Sequence, residues 1–421
     1  MDHIPLTLAD LEQARARIAA AVLATPLWLN DVLSRDFGVP IHFKLENLQP
    51  TGSFKLRGAT HKIDRLLAST GAGGAGRSAA TLRGVIAASA GNHAQGVARA
   101  ARAQGLPATV VMPVAASLTK IEACRGLGAE VILAGANLEE ARALAEVLAG
   151  ERGLEFVHPY DDWQIIAGQA SVGLEIIEAL PTASLVVVPL GGGGLLSGVA
   201  LAIKLQRPDV RVVGVQTETV APFRRFLEDG SLEVVSPSAH TIADGIKVKA
   251  PGVLTRQVIA RHVDAIVTVD DNAIAEAMVC LLERTRTIGE GAGVVALAAL
   301  LKGKVVPRPD DCVVVLVSGG NADMTLVGRS IDYGLASSGR LMSLAVRVAD
   351  TPGRLAALLG VVAEHGMNVR HVEHRRGELH VPVGMTEIIL QIETRDFPHQ
   401  RELLDHFAAQ GLDARNLIEA A

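Results

Sequence analysis

LVVVPLGGGGLLSGVALAIKLQ, residues 185–206, decides the fold of this chain. Five apolar residues lead into Leu190 and then into four consecutive glycines, Gly191 to Gly194. The uncharged stretch 179–203 is long enough to span a bilayer. Pro189 and the glycines argue against one helix, because proline removes a helical hydrogen bond and each glycine costs about 1 kcal/mol. The stretch therefore reads as strand, glycine turn, helix. A helix N-terminus after such a turn offers free N–H groups and partial positive charge to an anion. No Gly-Lys-Ser/Thr follows, and the spacing is not G-x-G-x-x-G with an acidic partner, so neither nucleotide-binding loop is present.

The same alternation extends on both sides. VIAAS (85–89), ATVVMP (108–113), EVILAG (130–135), VRVVGVQ (210–216) and CVVVLVS (312–318) are continuously apolar, as strands buried on both faces are. Between them lie helical segments such as 93–105 and 137–153, which end in Gly. Thr7 and Asp10 are spaced as a capping box for a helix beginning near residue 8, which Thr25-Pro26 ends. GAGGAGRSAATLRG (71–84) reads as a flexible surface loop. The expected fold class is α/β with open, mostly parallel sheets.

After residue 335 the pattern changes. SSGRLMS (337–343) reads as a linker. Strand, helix, strand, strand, helix, strand then follow, the βαββαβ ferredoxin-like order. The expected division is 1–335, a linker at 336–342, and a second domain at 343–421.

The chain has 421 residues, 49% hydrophobic and 20% charged, which excludes bulk disorder. It has 42 Gly without a Gly-X-Y period, which excludes collagen. Forty basic and 45 acidic residues, with only eight Phe, two Tyr and two Trp, argue against nucleic acid as a partner. Cys124, Cys280 and Cys312 fit neither a disulfide framework nor a CxxC metal site. There is no basic-then-apolar signal segment, so a cytoplasmic protein without membrane association is expected.

Three further turns follow or flank strands. Lys55 sits in SFKLRGA (53–59), just after a Gly turn. A partly desolvated lysine has a lowered pKa and can act as a nucleophile or base. SAGNH (89–93) ends a strand and opens a helix, where consecutive N–H groups, a hydroxyl and an amide suit a carboxylate. Its plain alternative is an ordinary helix cap. SGGN (318–321) again follows a buried strand. Glycine-bearing turns at several strand ends of one sheet point to one crevice.

SFKLRGA, SAGNHAQG, VVPLGGGGLLSG and SGGN, in this order and spacing, resemble the fold type II pyridoxal-phosphate enzymes. Within them the chain resembles threonine ammonia-lyases over roughly residues 5–330. Residues 350–359 and 365–369 resemble an ACT-type regulatory domain. The resemblance implies two open, mostly parallel α/β subdomains, followed by the ACT-type domain. It implies pyridoxal 5'-phosphate as cofactor, held covalently by Lys55, whose amine later moves the Cα proton. Phe54 would pack beside it, Asn92 would bond its 3′-oxygen, Gly191, Gly192, Gly193 and Gly194 would cradle its phosphate, Ser318 would meet the pyridine nitrogen, and Glu290 would line the ring side. Ser89, Gly91, Asn92 and His93 would hold the substrate carboxylate.

The expected reaction is deamination of L-threonine to 2-oxobutanoate and ammonia, and of L-serine to pyruvate, at the head of isoleucine biosynthesis. A serine racemase or 3-hydroxyaspartate ammonia-lyase of the same fold is the alternative, but Ala90 leaves the face opposite the lysine without the racemase's second serine. Leu56 replaces the Asp usual in threonine and cysteine synthases. Gln216 and Pro222 stand where the racemase-like metal site has acids, so no metal is expected. A non-catalytic amino-acid sensor would have no reason to keep Lys55, the tetraglycine and Ser318 together. In the ACT-like domain, Asp350, Thr351, Pro352, Gly353 and Asn368 are the expected effector site, with isoleucine the expected effector. A small amino-acid substrate and a homo-oligomer, dimer or tetramer, complete the expectation.

Overall fold

The architecture rests on a computed structural model that describes residues 3–71, 82–236, 238–377, 379 and 381–418. Most of the loop read at 71–84 lies outside the described residues. Strands are β1 (Leu27–Leu29), β2 (Ile41–Leu45), β3 (Val85–Ala88), β4 (Ala108–Met112), β5 (Glu130–Leu133), β6 (Glu155–Phe156), β7 (Leu185–Pro189), β8 (Arg211–Thr217), β9 (Ala265–Val269), β10 (Val313–Val317), β11 (Leu341–Ala349), β12 (Asn368–Arg375), β13 (Met385–Glu393) and β14 (Asp413–Asn416). The chain divides into two compact units, 1–323 and 324–421.

In the first unit, β1-β2-β10-β7-β8-β9 form a six-stranded sheet and β5-β4-β3-β6 a four-stranded one. All neighbours run parallel except β1 against β2. Every residue of β7 and β10 is buried, the outcome of helices covering both faces. One of these helices, Gly291–Leu301, carries no polar side chain and packs against β7 to β10. An all-apolar helix is stable only when enclosed in this way. β5 departs from the expectation of burial on both faces. It is an edge strand, with Glu130 and Leu133 exposed. Its composition resembles that of central strands, and position in the sheet decides its exposure.

The N-terminal helix runs Leu8–Ile18 and carries the expected capping box between Thr7 and Asp10. It ends seven residues before Thr25-Pro26. The uncharged stretch 179–203 is divided between β7 and the helix Gly194–Lys204, and no helix among the described residues is long and apolar enough to cross a membrane.

The second unit has the antiparallel sheet β12-β13-β11-β14 with helices Arg354–Glu364 and Phe397–Ala409. Its order is βαββαβ. The boundary in space falls at 323/324, ahead of the 336–342 linker read from the sequence. Helix Met324–Ser337 clusters with the second unit, and Leu341 already begins β11. The Ser338-Gly339-Arg340 between them is a packed turn. Gly339 has φ +72°, and its carbonyl accepts from Thr394 Oγ1 at 2.6 Å and Gln400 Nε2 at 2.9 Å.

Candidate active site

Lys55 opens helix Lys55–Gly71. The loop before it lies against the turn after β10: Ser53 bridges Gly319, and Phe54 N donates to Ser318 O at 3.1 Å. This contact brings Lys55 and Ser318 together across more than 260 residues of sequence. Lys55 Nζ donates to Pro159 O at 2.9 Å and lies 5.1 Å from the centre of the Phe54 ring. Burial pulls its pKa down to about 8, with the Glu290 charge pulling the other way. The amine is thus far closer to its reactive neutral form than a solvated lysine.

Helix Asn92–Ala103 starts at Gly91 with no side-chain cap, so the Ser/Asn turn is not an ordinary helix cap. Ser89 Oγ accepts from Gly91 N at 3.2 Å. No acceptor among the described residues engages the N–H groups of Asn92 and His93. The His93 ring does not face this turn. Its Nε2 donates to Val157 O at 2.8 Å, and burial lowers its pKa to about 3. His93 therefore has its backbone N–H, and not its ring, to give a carboxylate.

Asn92 Nδ2 donates to Glu290 Oε1, and burial raises the Glu290 pKa to about 7. Gly319 is the glycine this arrangement needs. A Cβ there would lie 2.2 Å from Glu290 Oε1 and 3.2 Å from Asn92 Nδ2. Lys55, Asn92, Glu290, Ser318 and Gly319 thus occupy one crevice.

At the tetraglycine, helix Gly194–Lys204 also lacks a side-chain cap, and Gly193 takes φ +98°. No acceptor among the described residues engages the N–H groups of Gly191 to Gly194. Such a row of free donors at a helix N-terminus suits a phosphate. The glycines have a second cause that sequence reasoning missed. A Cβ on Gly192 would fall 2.4 Å from the Tyr160 ring, and one on Gly194 2.9 Å from Tyr160 Cβ. Tyr160 is held by its hydroxyl donating to Ala250 O at 3.0 Å. Asp161 accepts from the N–H groups of Val253, Leu254 and Thr255, capping the next helix. The segment 157–161 therefore joins both sheets' loops to the crevice. Its Pro-Tyr-Asp reads locally as an unremarked turn.

In the second unit, Asp350, Thr351, Pro352 and Gly353 line a cavity of about 260 Å³, together with Arg354, Leu355, His374, Arg376, Thr386 and Ile388. Arg376 Nε donates to both Asp350 carboxylate oxygens, at 3.1 and 3.0 Å. Asn368 is not part of it. It opens β12 at the far end from His374 and donates to Glu393 Oε2 at 3.2 Å.

Residues 18–319 match the pyridoxal-phosphate dependent enzyme family, and residues 342–405 match the ACT domain. The chain belongs to the pyridoxal-phosphate-dependent enzymes, of fold type II, and carries a C-terminal ACT domain. Within that family its relatives are threonine ammonia-lyases. It is 45% identical to the L-threonine ammonia-lyase of Thermotoga maritima, over 97% of this chain and 99% of that one. It is 42% identical to that of Geobacter sulfurreducens, over 97% and 98%. Among solved structures, the T.th. threonine deaminase is 37% identical over 76% of this chain and 99% of its own, with a TM-score of 0.68. Maize serine racemase is 32% identical over 78% and 97%, with a TM-score of 0.70. The residues fit the cofactor: free N–H donors stand at a cradle without side chains, and a desolvated lysine directly follows the Ser53-Phe54 segment that pairs with the turn at Ser318 and Gly319.

Proposed function

We propose that this chain deaminates L-threonine to 2-oxobutanoate and ammonia, and L-serine to pyruvate, as the first step toward isoleucine. The observation that carries the reading is Lys55: a buried amine with a lowered pKa, in one crevice with Asn92, Glu290 and Ser318. Bound pyridoxal 5'-phosphate supplies a conjugated ring that stabilises negative charge at the substrate Cα.

The chain's own residues do the rest. Lys55 would hold the cofactor covalently, and its freed amine would take the Cα proton as a general base. Gly191 to Gly194 would offer their free N–H groups to its phosphate, Asn92 would donate an amide hydrogen to its 3′-oxygen, and Phe54 would pack beside its ring. Ser318 would offer a hydroxyl to the pyridine nitrogen, and Glu290 would line the ring side. Ser89 Oγ and the free N–H groups of Asn92 and His93 would orient the substrate carboxylate, with the Gly91 N–H held on Ser89 Oγ at the same turn. Ala90 places no acid or base on the face opposite Lys55, which favours elimination over racemisation and separates this reading from the racemase neighbours.

Catalysis is assigned to residues 1–335 and regulation to 343–421, in a cytoplasmic homo-oligomer, a dimer or tetramer. The effector site is the cavity at Asp350 to Gly353, completed by His374 and Arg376 rather than Asn368, and its proposed ligand is isoleucine. Arg376 suits an amino acid's carboxylate and Asp350 its ammonium. The test is 2-oxo acid formation from L-threonine, L-serine and L-threo-3-hydroxyaspartate, each with and without isoleucine. L-Threonine is expected to be the best substrate and isoleucine to lower the rate. No 2-oxo acid from any of the three, with the cofactor bound, would overturn the reading.

A further inference from the structure

The Asn321 carboxamide nitrogen has two hydrogens and meets two acceptors. Nδ2 lies 2.8 Å from Thr51 O and 2.8 Å from Asn92 Oδ1. A peptide carbonyl only accepts, so Thr51 O dictates which end of Asn321 faces it. The second hydrogen then requires an oxygen, and Asn92 must present Oδ1. Asn92 Nδ2 is left facing Glu290 Oε1. Hydrogen-bond polarity thus runs one way, from Glu290 back through Asn92 and Asn321 to an acceptor that cannot reverse.

The packing around Asn321 is tight. Gly52 has φ +70°, and a Cβ there would lie 2.2 Å from Asn321 Oδ1. Gly320 N donates to Gly52 O at 2.8 Å, closing the two turns on each other.

We propose that Asn321 is a positioning residue that sets the amide orientation of Asn92, so that a donor rather than an acceptor faces the cofactor. The inference rests on the reading of Asn92 as the partner of the cofactor's 3′-oxygen. With Asn92 turned over, its Oδ1 would stand against that oxygen and against the Glu290 carboxylate, and a hydrogen bond would become a repulsion.

The test is the isosteric Asn321→Asp, which removes both donor hydrogens, made in the wild-type and in an Asn92→Ala background. Dissociation of pyridoxal 5'-phosphate and its visible absorption band are read on the purified full chain. In the wild-type background N321D should weaken cofactor binding about tenfold, the worth of one lost hydrogen bond, and shift the band. In the N92A background it should change neither by more than about twofold, because the orientation it controls is already gone. Equal effects in both backgrounds would make Asn321 merely structural and overturn the inference. So would an unchanged N321D beside a weakened N92A. Wild-type binding by N92A would instead remove the reading of Asn92, and this inference with it. If N321D fails to fold, N321A is read in the same two backgrounds.

Discussion

Arg57 holds Glu46 through two parallel hydrogen bonds of 2.8 Å, from Nε and Nη2, with both side chains wholly excluded from solvent. Arg57 also reaches Glu175, and Lys44 Nζ joins Glu175 at 2.6 Å and Thr25 O at 2.7 Å. This buried network sits two residues beyond Lys55. It fixes the first turn of the helix that carries the lysine to β2 and to helix Trp163–Ala179.

Breaking such a pair leaves a buried charge without its partner, which costs about 3–5 kcal/mol. Arg57→Met is therefore expected to lower unfolding free energy by that order, read by urea denaturation. A loss below about 1 kcal/mol would contradict the burial argument.

The same pair predicts a pH dependence. Burial opposes ionisation of Glu46, but the charge and hydrogen bonds of Arg57, with Lys44 and Thr25, outweigh it and hold the carboxyl below its ordinary range. A lowered folded-state pKa means stability that is present above the unfolded pKa and lost as pH falls through the folded one. Thermal unfolding should show this acid-side loss in the wild type and a shallower slope in Glu46→Gln. Identical slopes would exclude Glu46 as its source.

Lys55 should capture cofactor with a midpoint near pH 8, where its amine loses its proton. Stopped-flow absorbance on the cofactor-free chain is expected to accelerate as pH rises through that midpoint. Glu290 raises the Lys55 pKa, so Glu290→Gln should move the midpoint downward. Lys55→Ala should fold, yet show no covalent mass gain after borohydride reduction with cofactor.

Gly192→Ala places a Cβ 2.4 Å from the Tyr160 ring. Overpacking of this kind costs about 1–3 kcal/mol. Cofactor retention on dialysis should fall as well, because the cradle is distorted. Tyr160→Ala in the same chain should recover stability, and no recovery would place the clash elsewhere.

Arg376→Ala should raise the isoleucine concentration for half-maximal effect about tenfold, the worth of one charge-assisted hydrogen bond. Isothermal titration of the full chain measures it. An unchanged titration would move the effector site away from this cavity.

Strand-glycine-helix turns were legible in the chain because each is a local event: a buried apolar run, a residue without a side chain, a helix start. Gly191 to Gly194, Ser318 and Lys55 could be singled out on that basis, and the βαββαβ order of the second unit followed from periodicity. Exposure of β5 was not legible, because edge and centre strands share one composition. Nor was the inward turn of the His93 ring, since the acceptor, Val157 O, lies 64 residues away.

The sequence by itself determined which backbone positions lack side chains, where buried strands pass through glycine turns into helices, and that Lys55 follows a glycine turn. These properties live within a few neighbouring residues. Only the tertiary structure decided that Pro159 O receives the Lys55 amine, that Tyr160 explains Gly192, and that Arg376 rather than Asn368 completes the second cavity. Those outcomes depend on desolvation and on hydrogen bonds between residues far apart in the chain, whose partners are chosen only when the sheets close.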